Sequence, residues 1–228
     1  MTPADYAAAR RALMRRDPVL AAIIRQHGPC GLAAVRDRYD HFAMLVRAIV
    51  FQQLSTKAAT TIHARLMAHM PSGTPTPDAL LALTDEQLRT AGISRQKAKY
   101  LRDLGEKVRD GLVPLESVDT LSDEDVIAAL TQVKGIGRWT AEMFLIFRLG
   151  RPDVLPLTDL GIINAIRKAY RLRKKPTPDR LRKLAEPWRP YRSIACWYLW
   201  RSLEPPPQKV RRGKPEVPAA SEPSPGWN

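Results

Sequence analysis

The strongest constraint in this sequence is a repeat of about 3.6 residues in its apolar positions. In "HFAMLVRAIV", Phe42, Leu45, Val46, Ile49 and Val50 recur at the i, i+3, i+4, i+7, i+8 spacing of one buried helix face. Helix starts are written beside such stripes. Thr84 with Gln87, and Ser122 with Asp125, read as capping boxes or near variants of one. Few segments alternate apolar and polar residues, and no Asn-Gly hairpin signal occurs. The expected class is all-α.

The 228 residues are 44% hydrophobic, enough for one substantial core or two small ones. Lys and Arg number 37 against 23 Asp and Glu, a formal charge of +14. Such a field attracts polyanions, so nucleic acid or an anionic membrane heads the partner list. Past Glu204 the chain turns proline-rich; Lys209, Arg211, Arg212 and Lys214 there face Glu216 and Glu222, so most of the excess lies earlier. That stretch, 205–228, reads as a basic disordered tail.

Apolar runs such as "AMLVRAIVF" are short and broken by Arg47, so no membrane span is expected. The N-terminus lacks the apolar core of a signal peptide. Cys30 and Cys196 are far apart and suit a reducing cytosol, with a disulfide between them left open. Two thiols do not hold an iron–sulfur cluster, and His27, His41, His63 and His69 lack zinc spacing. The expectation is a soluble cytoplasmic protein with no iron–sulfur cluster and no zinc site.

"VKGIGRW" (133–139) interrupts two helical patterns with a glycine-flanked isoleucine. A helix start offers unpaired N–H groups and roughly half a positive charge. Glycines let those amides approach an anion with no Cβ in the way. Gly135 and Gly137 would expose amides, Ile136 would drop back as an apolar anchor, and Lys134 and Arg138 would flank the same phosphate. Such a grip positions nucleic acid without reading its sequence. A plain helix connector has the same local pattern.

An internal echo bears on the choice. "LTDEQLRTAGISRQKA" and "LSDEDVIAALTQVKGIGRWTA" share a capped helix, a Gly-Ile turn, an arginine and an alanine. Gly137 stands in the second where Ser94 stands in the first. Close backbone approach is therefore expected at 135–137 and not at 92–94. Further on, Asp159 before "LGIINAIRKAY" reads locally as a helix N-cap, and "QQLS" (52–55) as a polar helix end.

Taken in order, "LVRAIVFQQLS", "AGISRQKAKYLRDL", "VKGIGRWTAEMFLIFRLG" with "VLPLTDLG", and "AEPWRPYRSIACWYLW" resemble the helix–hairpin–helix–Gly/Pro…Asp superfamily of DNA base-excision glycosylases. Within it the chain looks like the bacterial 3-methyladenine glycosylase II branch. The resemblance covers about Phe42 to Trp200. It implies one helical lobe over about 42–150, a second from about 1–41 plus 151–204, and a cleft between them.

The resemblance also implies roles. Asp159 is the catalytic carboxylate, stabilising positive charge on the sugar as the N-glycosidic bond breaks. Asp153 is a rival acid that lies before the loop's Pro156. Lys134, Gly135, Ile136, Gly137, Arg138 and Thr140 hold the DNA backbone, with a monovalent cation shared by hairpin carbonyls. Gln53 enters the stack that an extruded base leaves, supported by Gln52 and Ser55. Trp139, Met143 and Trp200 form the base pocket, where aromatic faces suit cationic alkylated purines; Met143 stands where relatives can have tyrosine. Trp188, Tyr191, Trp197 and Tyr198 are pocket or core.

Strand-cutting relatives carry a nucleophilic lysine where this chain has Trp139, so an abasic product is expected. The missing four-cysteine cluster argues against the endonuclease III and adenine–mismatch branches. The implied partner is duplex DNA with damaged bases, met by a monomer on the bacterial nucleoid. Two alternatives stand: a hairpin module that binds DNA without chemistry, and a glycosylase of the same mechanism for deaminated or oxidised bases. The cationic stretch 167–183, with nine Lys/Arg and Asp179 alone in opposition, is either a phosphate-tracking face or a solvated one.

Overall fold

The computed structural model describes residues 2–36 and 39–204. The tail at 205–228 lies outside the described residues. Thirteen α-helices and two short 3-10 turns account for the regular structure, with no strand among the described residues. No described helix is long and apolar enough to cross a membrane.

The helices start where short polar side chains can take their first N–H groups. Thr2 and Asp5 form a reciprocal capping box on α1 (Pro3–Arg16). Asp17 caps α2 (Pro18–His27), accepting from Val19 and Leu20 at 2.9 and 3.0 Å. After α3 (Leu32–Arg36), Asp40 caps α4 (His41–Phe51), in which every residue from Phe42 to Phe51 is buried. That burial includes the expected stripe. It also takes in Arg47, whose guanidinium lies 3.6 Å from the centre of the Phe51 ring.

Ser55 caps α5 (Thr56–Met67), Thr76 caps α6 (Pro77–Leu81), and Thr84 with Gln87 makes a complete capping box on α7 (Asp85–Ala91). Ser94 caps α8 (Arg95–Arg109). Ser122 caps α9 (Asp123–Thr131) by a variant, its hydroxyl both accepting from Asp125 N–H and donating to the Asp125 carboxylate. Then come α10 (Arg138–Phe147) and α11 (Leu160–Ala169), followed by α12 (Pro178–Ala185) and α13 (Arg192–Arg201).

The chain divides into two compact units. One is Arg36–Leu149, carrying α4 to α10; Tyr39 joins it through an edge contact with His63. In it α4 packs on α5, α8 and α10, and α6 lies on α8 where Gly105 admits Leu81. The other unit takes the described residues up to Val35 and those from Gly150 onward. Its centre is Trp188 and Tyr198, neither with accessible surface. Asp17 pins that centre, accepting from Trp188 Nε1 at 2.8 Å and from the Tyr170 hydroxyl. The Tyr198 hydroxyl donates to Gly28 O at 2.8 Å.

Candidate active site and nucleic-acid interface

The segment 132–138 forms a tight turn between α9 and α10. Ile136 is buried and its N–H closes the turn onto Val133 O at 3.0 Å. The two glycines do different things. Gly135 has φ of +83°, and a Cβ there would sit 2.3 Å from the Tyr100 ring, so its missing side chain serves packing inside the protein. That corrects the expectation that both glycines clear space for a ligand. Gly137 borders open space, where a Cβ would meet nothing within 4 Å. Gly137 is the N-cap of α10 and supplies no side-chain bond to the first turn. The N–H groups of Gly135 and Gly137 find no acceptor among the described residues.

The flanking cations are engaged by the protein's own acids. Lys134 Nζ lies 3.1 Å from Asp103 Oδ1, and its N–H donates to Asp103 Oδ2 at 2.8 Å. Burial pushes the Asp103 carboxyl up, but donors from Lys107 and Lys134 outweigh it and hold the pKa below the ordinary value. Arg138 is bidentate to Glu124 at 2.6 and 3.0 Å and reaches Glu142 at 3.2 Å. This pairing keeps Glu124 below the usual carboxylate range. Exposed pairs of this kind contribute about 0–1 kcal/mol, so a phosphate can compete for Arg138. Thr140 is buried in the first turn of α10.

Carbonyls of Gln132, Val133 and Gly135 each already accept from a protein donor, namely Lys107 Nζ, Ile136 N–H and Gln52 Nε2. These bonds hold the turn, and each of the three carbonyl oxygens keeps a second lone pair. Among the described residues no three His, Cys, Asp or Glu side chains group as a metal site.

Gln53 sits exposed at the tip of the turn between α4 and α5, at φ of 56°. A non-glycine residue is uncommon there and is held by its surroundings. Gln52 Nε2 donates to Gly135 O at 2.9 Å, and Ser55 begins α5, so both expected supports flank the tip. This joins the Gln53 turn to the 133–138 turn directly.

Asp159 lies in the other unit, as the N-cap of α11. Its Oδ1 accepts from Ile162 N–H at 2.6 Å and from Trp200 Nε1 at 3.0 Å. The residue is only 4% exposed. A Cβ at Gly161 would come within 3.0 Å of both Asp159 Oδ1 and Trp200 Cδ1. Gly161 is therefore what lets carboxylate and indole meet. Sequence reasoning missed it, although a glycine in the first turn of a helix is itself a signal. The rival Asp153 is consumed by structure: Arg192 holds it at 2.7 and 2.9 Å and Arg189 at 3.0 Å.

Trp200 is thus brought to Asp159, whereas Trp139 and Met143 belong to the unit of the hairpin. Trp139 is half-buried. Met143 has no accessible surface and presents nothing to a ligand. Trp188 and Tyr198 are core, and Trp197 stands edge-on to Tyr198 at 4.9 Å. Tyr191 is half-buried. The nine cations of 167–183 are all exposed, and Arg182 is ion-paired with Asp179 at 2.6 Å.

The profile of the HhH-GPD superfamily of base excision DNA repair proteins matches residues 46–190. The chain is 41% identical to DNA-3-methyladenine glycosylase 1 of Schizosaccharomyces pombe over 168 residues, 73% of this chain and 74% of that protein. Among solved structures it is similar to S. pombe 3-methyladenine DNA glycosylase in complex with abasic DNA. There the TM-score is 0.74 and identity 37%, over 86% of this chain and 96% of the other. A DNA-3-methyladenine glycosidase from Bacillus halodurans gives a TM-score of 0.75 at 34% identity, over 85% and 88%.

Proposed function

The chain belongs to the HhH-GPD superfamily of base excision DNA repair proteins, and from that premise we propose that it is a DNA glycosylase that hydrolyses the N-glycosidic bond of alkylated bases and leaves an abasic site. The finer reading is the 3-methyladenine glycosylase II type. One observation supports the glycosylase reading: a buried carboxylate, Asp159, is capped into α11 and aimed by a tryptophan N–H, while Asp153 is spent on two arginines.

The chemistry needs little more from the protein. As the bond to the base breaks, positive charge grows on the deoxyribose. A fixed anion stabilises that charge more than the neutral ground state, and burial strengthens the effect by excluding water. In the hairpin's unit the open amides of Gly135 and Gly137 take a backbone phosphate and Gln53 enters the gap. In the other unit Trp200, beside Asp159, supplies an aromatic face for the base. Trp139 offers no amine, so no Schiff base forms and the strand stays intact.

The test is release of 3-methyladenine from methylated duplex DNA by wild type and Asp159→Asn. We expect the variant to bind DNA normally and to lose about a hundred- to a thousandfold in rate. Equal release by both would remove Asp159 from the mechanism. Binding by wild type with no base released from a panel of alkylated, deaminated and oxidised lesions would leave a binding module instead.

A further inference from the structure

Helix α8 touches both halves of the proposed DNA-gripping surface. Lys97, Tyr100, Asp103 and Lys107 are spaced three, three and four residues apart, which puts them on one helix face. Each meets a different part of that surface. Lys97 Nζ donates to Val50 O and to Gln52 O, both at 2.7 Å. These are carbonyls at the C-terminal end of α4, which a helix leaves without partners of its own. The Tyr100 ring fills the space that Gly135 leaves. Asp103 takes Lys134 N–H, and Lys107 Nζ donates to Gln132 O at 2.6 Å. The Gln52 side chain closes the circuit onto Gly135 O.

Gln53 stands inside this circuit at a backbone angle it would not choose alone. The residue before it is fixed through its carbonyl by Lys97 and through its side chain by Gly135. Resting on the glycosylase reading above, we propose that Lys97 is a positioning residue: by closing the end of α4 it sets Gln53 in the pose that enters the DNA stack, and ties that pose to the hairpin's hold on the backbone. An ammonium suits the task because its donors can turn toward two carbonyls at once, whereas the flat fork of arginine fits them less well. Displacing a gap-filling side chain by about 1 Å is enough to slow a reaction about a hundredfold, without contact to the reacting atoms.

The experiment uses the full chain and duplex DNA bearing 3-methyladenine next to 2-aminopurine, whose fluorescence rises when its neighbour unstacks. Lys97→Met is expected to lower the single-turnover rate about tenfold or more per folded molecule, to leave duplex affinity within about threefold, and to blunt the fluorescence rise. Gln52→Ala should shift the same readouts in the same direction, and it keeps the question open to measurement if Lys97→Met folds poorly. Lys97→Arg should recover part of the rate. Adding Gln53→Ala to Lys97→Met should change the rate less than about twofold more, because both act through one side chain. Wild-type rate and fluorescence in the folded fraction of Lys97→Met, or fully additive effects of the pair, would overturn the proposal. A wild type that releases no base would sink the glycosylase reading instead, and the fluorescence arm would still judge Lys97.

Discussion

Two hairpins in the same unit follow one backbone plan and end differently. At 92–94 and at 135–137 a glycine in the left-handed region is followed by a buried isoleucine and then a helix N-cap: Gly92 at +93° and Gly135 at +83°, Ile93 and Ile136, Ser94 and Gly137. The first hairpin caps itself, with Ser94 accepting from Lys97 N–H at 3.3 Å. The second leaves its helix start open. An unpaired helix start has a cost unless something outside fills it. Under the proposed function a DNA phosphate completes the second hairpin, whereas the first completes itself.

The largest effect should come at the paired glycines. Gly135→Ala meets the Tyr100 ring at 2.3 Å as well as an unfavourable backbone angle, while Gly92→Ala has the same kind of angle but meets Ile62 Cγ1 only at 3.1 Å. We expect losses of about 2–4 kcal/mol for the first and about 1–2 kcal/mol for the second, read from urea melts. Equal losses would deny that α8 sets the second turn. Next is Gly137→Asp, which gives the second hairpin a self-supplied cap. Stability should rise by a few tenths of a kcal/mol, while duplex affinity falls about ten- to a hundredfold as a carboxylate occupies the phosphate's place. Unchanged affinity would break the comparison. The smallest effect is the reverse exchange: Ser94→Gly should lose a few tenths of a kcal/mol and leave DNA binding alone.

Local signals carried much of this. The stripe from Phe42 to Val50 is buried, although α4 is buried on its other faces too, which the spacing did not show. The caps at Thr84 and Ser122 form where their residue types place them. The echo between the hairpins is visible in the sequence because both halves of each signal lie within a few residues. What sequence could not supply were partners. Lys97 reaches a carbonyl 47 residues away, Asp103 an amide 31 away, and Asp159 an indole 41 away. No periodicity records such pairings. For the same reason Lys134 and Arg138 read as free phosphate ligands, though each is met by an acid brought in by the fold.

The first hairpin, which holds no ligand in this scheme, fixes the zero point of a ruler. Helix α8 starts at Ser94, and its marks at 97, 100, 103 and 107 are read off against parts of the chain far away. One residue inserted between Ser94 and Lys97 would rotate every mark by about 100° and slide it by about 1.5 Å. A substitution along this rod disturbs one mark at a time. A change in its count disturbs them all, and homologous chains that keep both hairpins should differ in length almost anywhere but there.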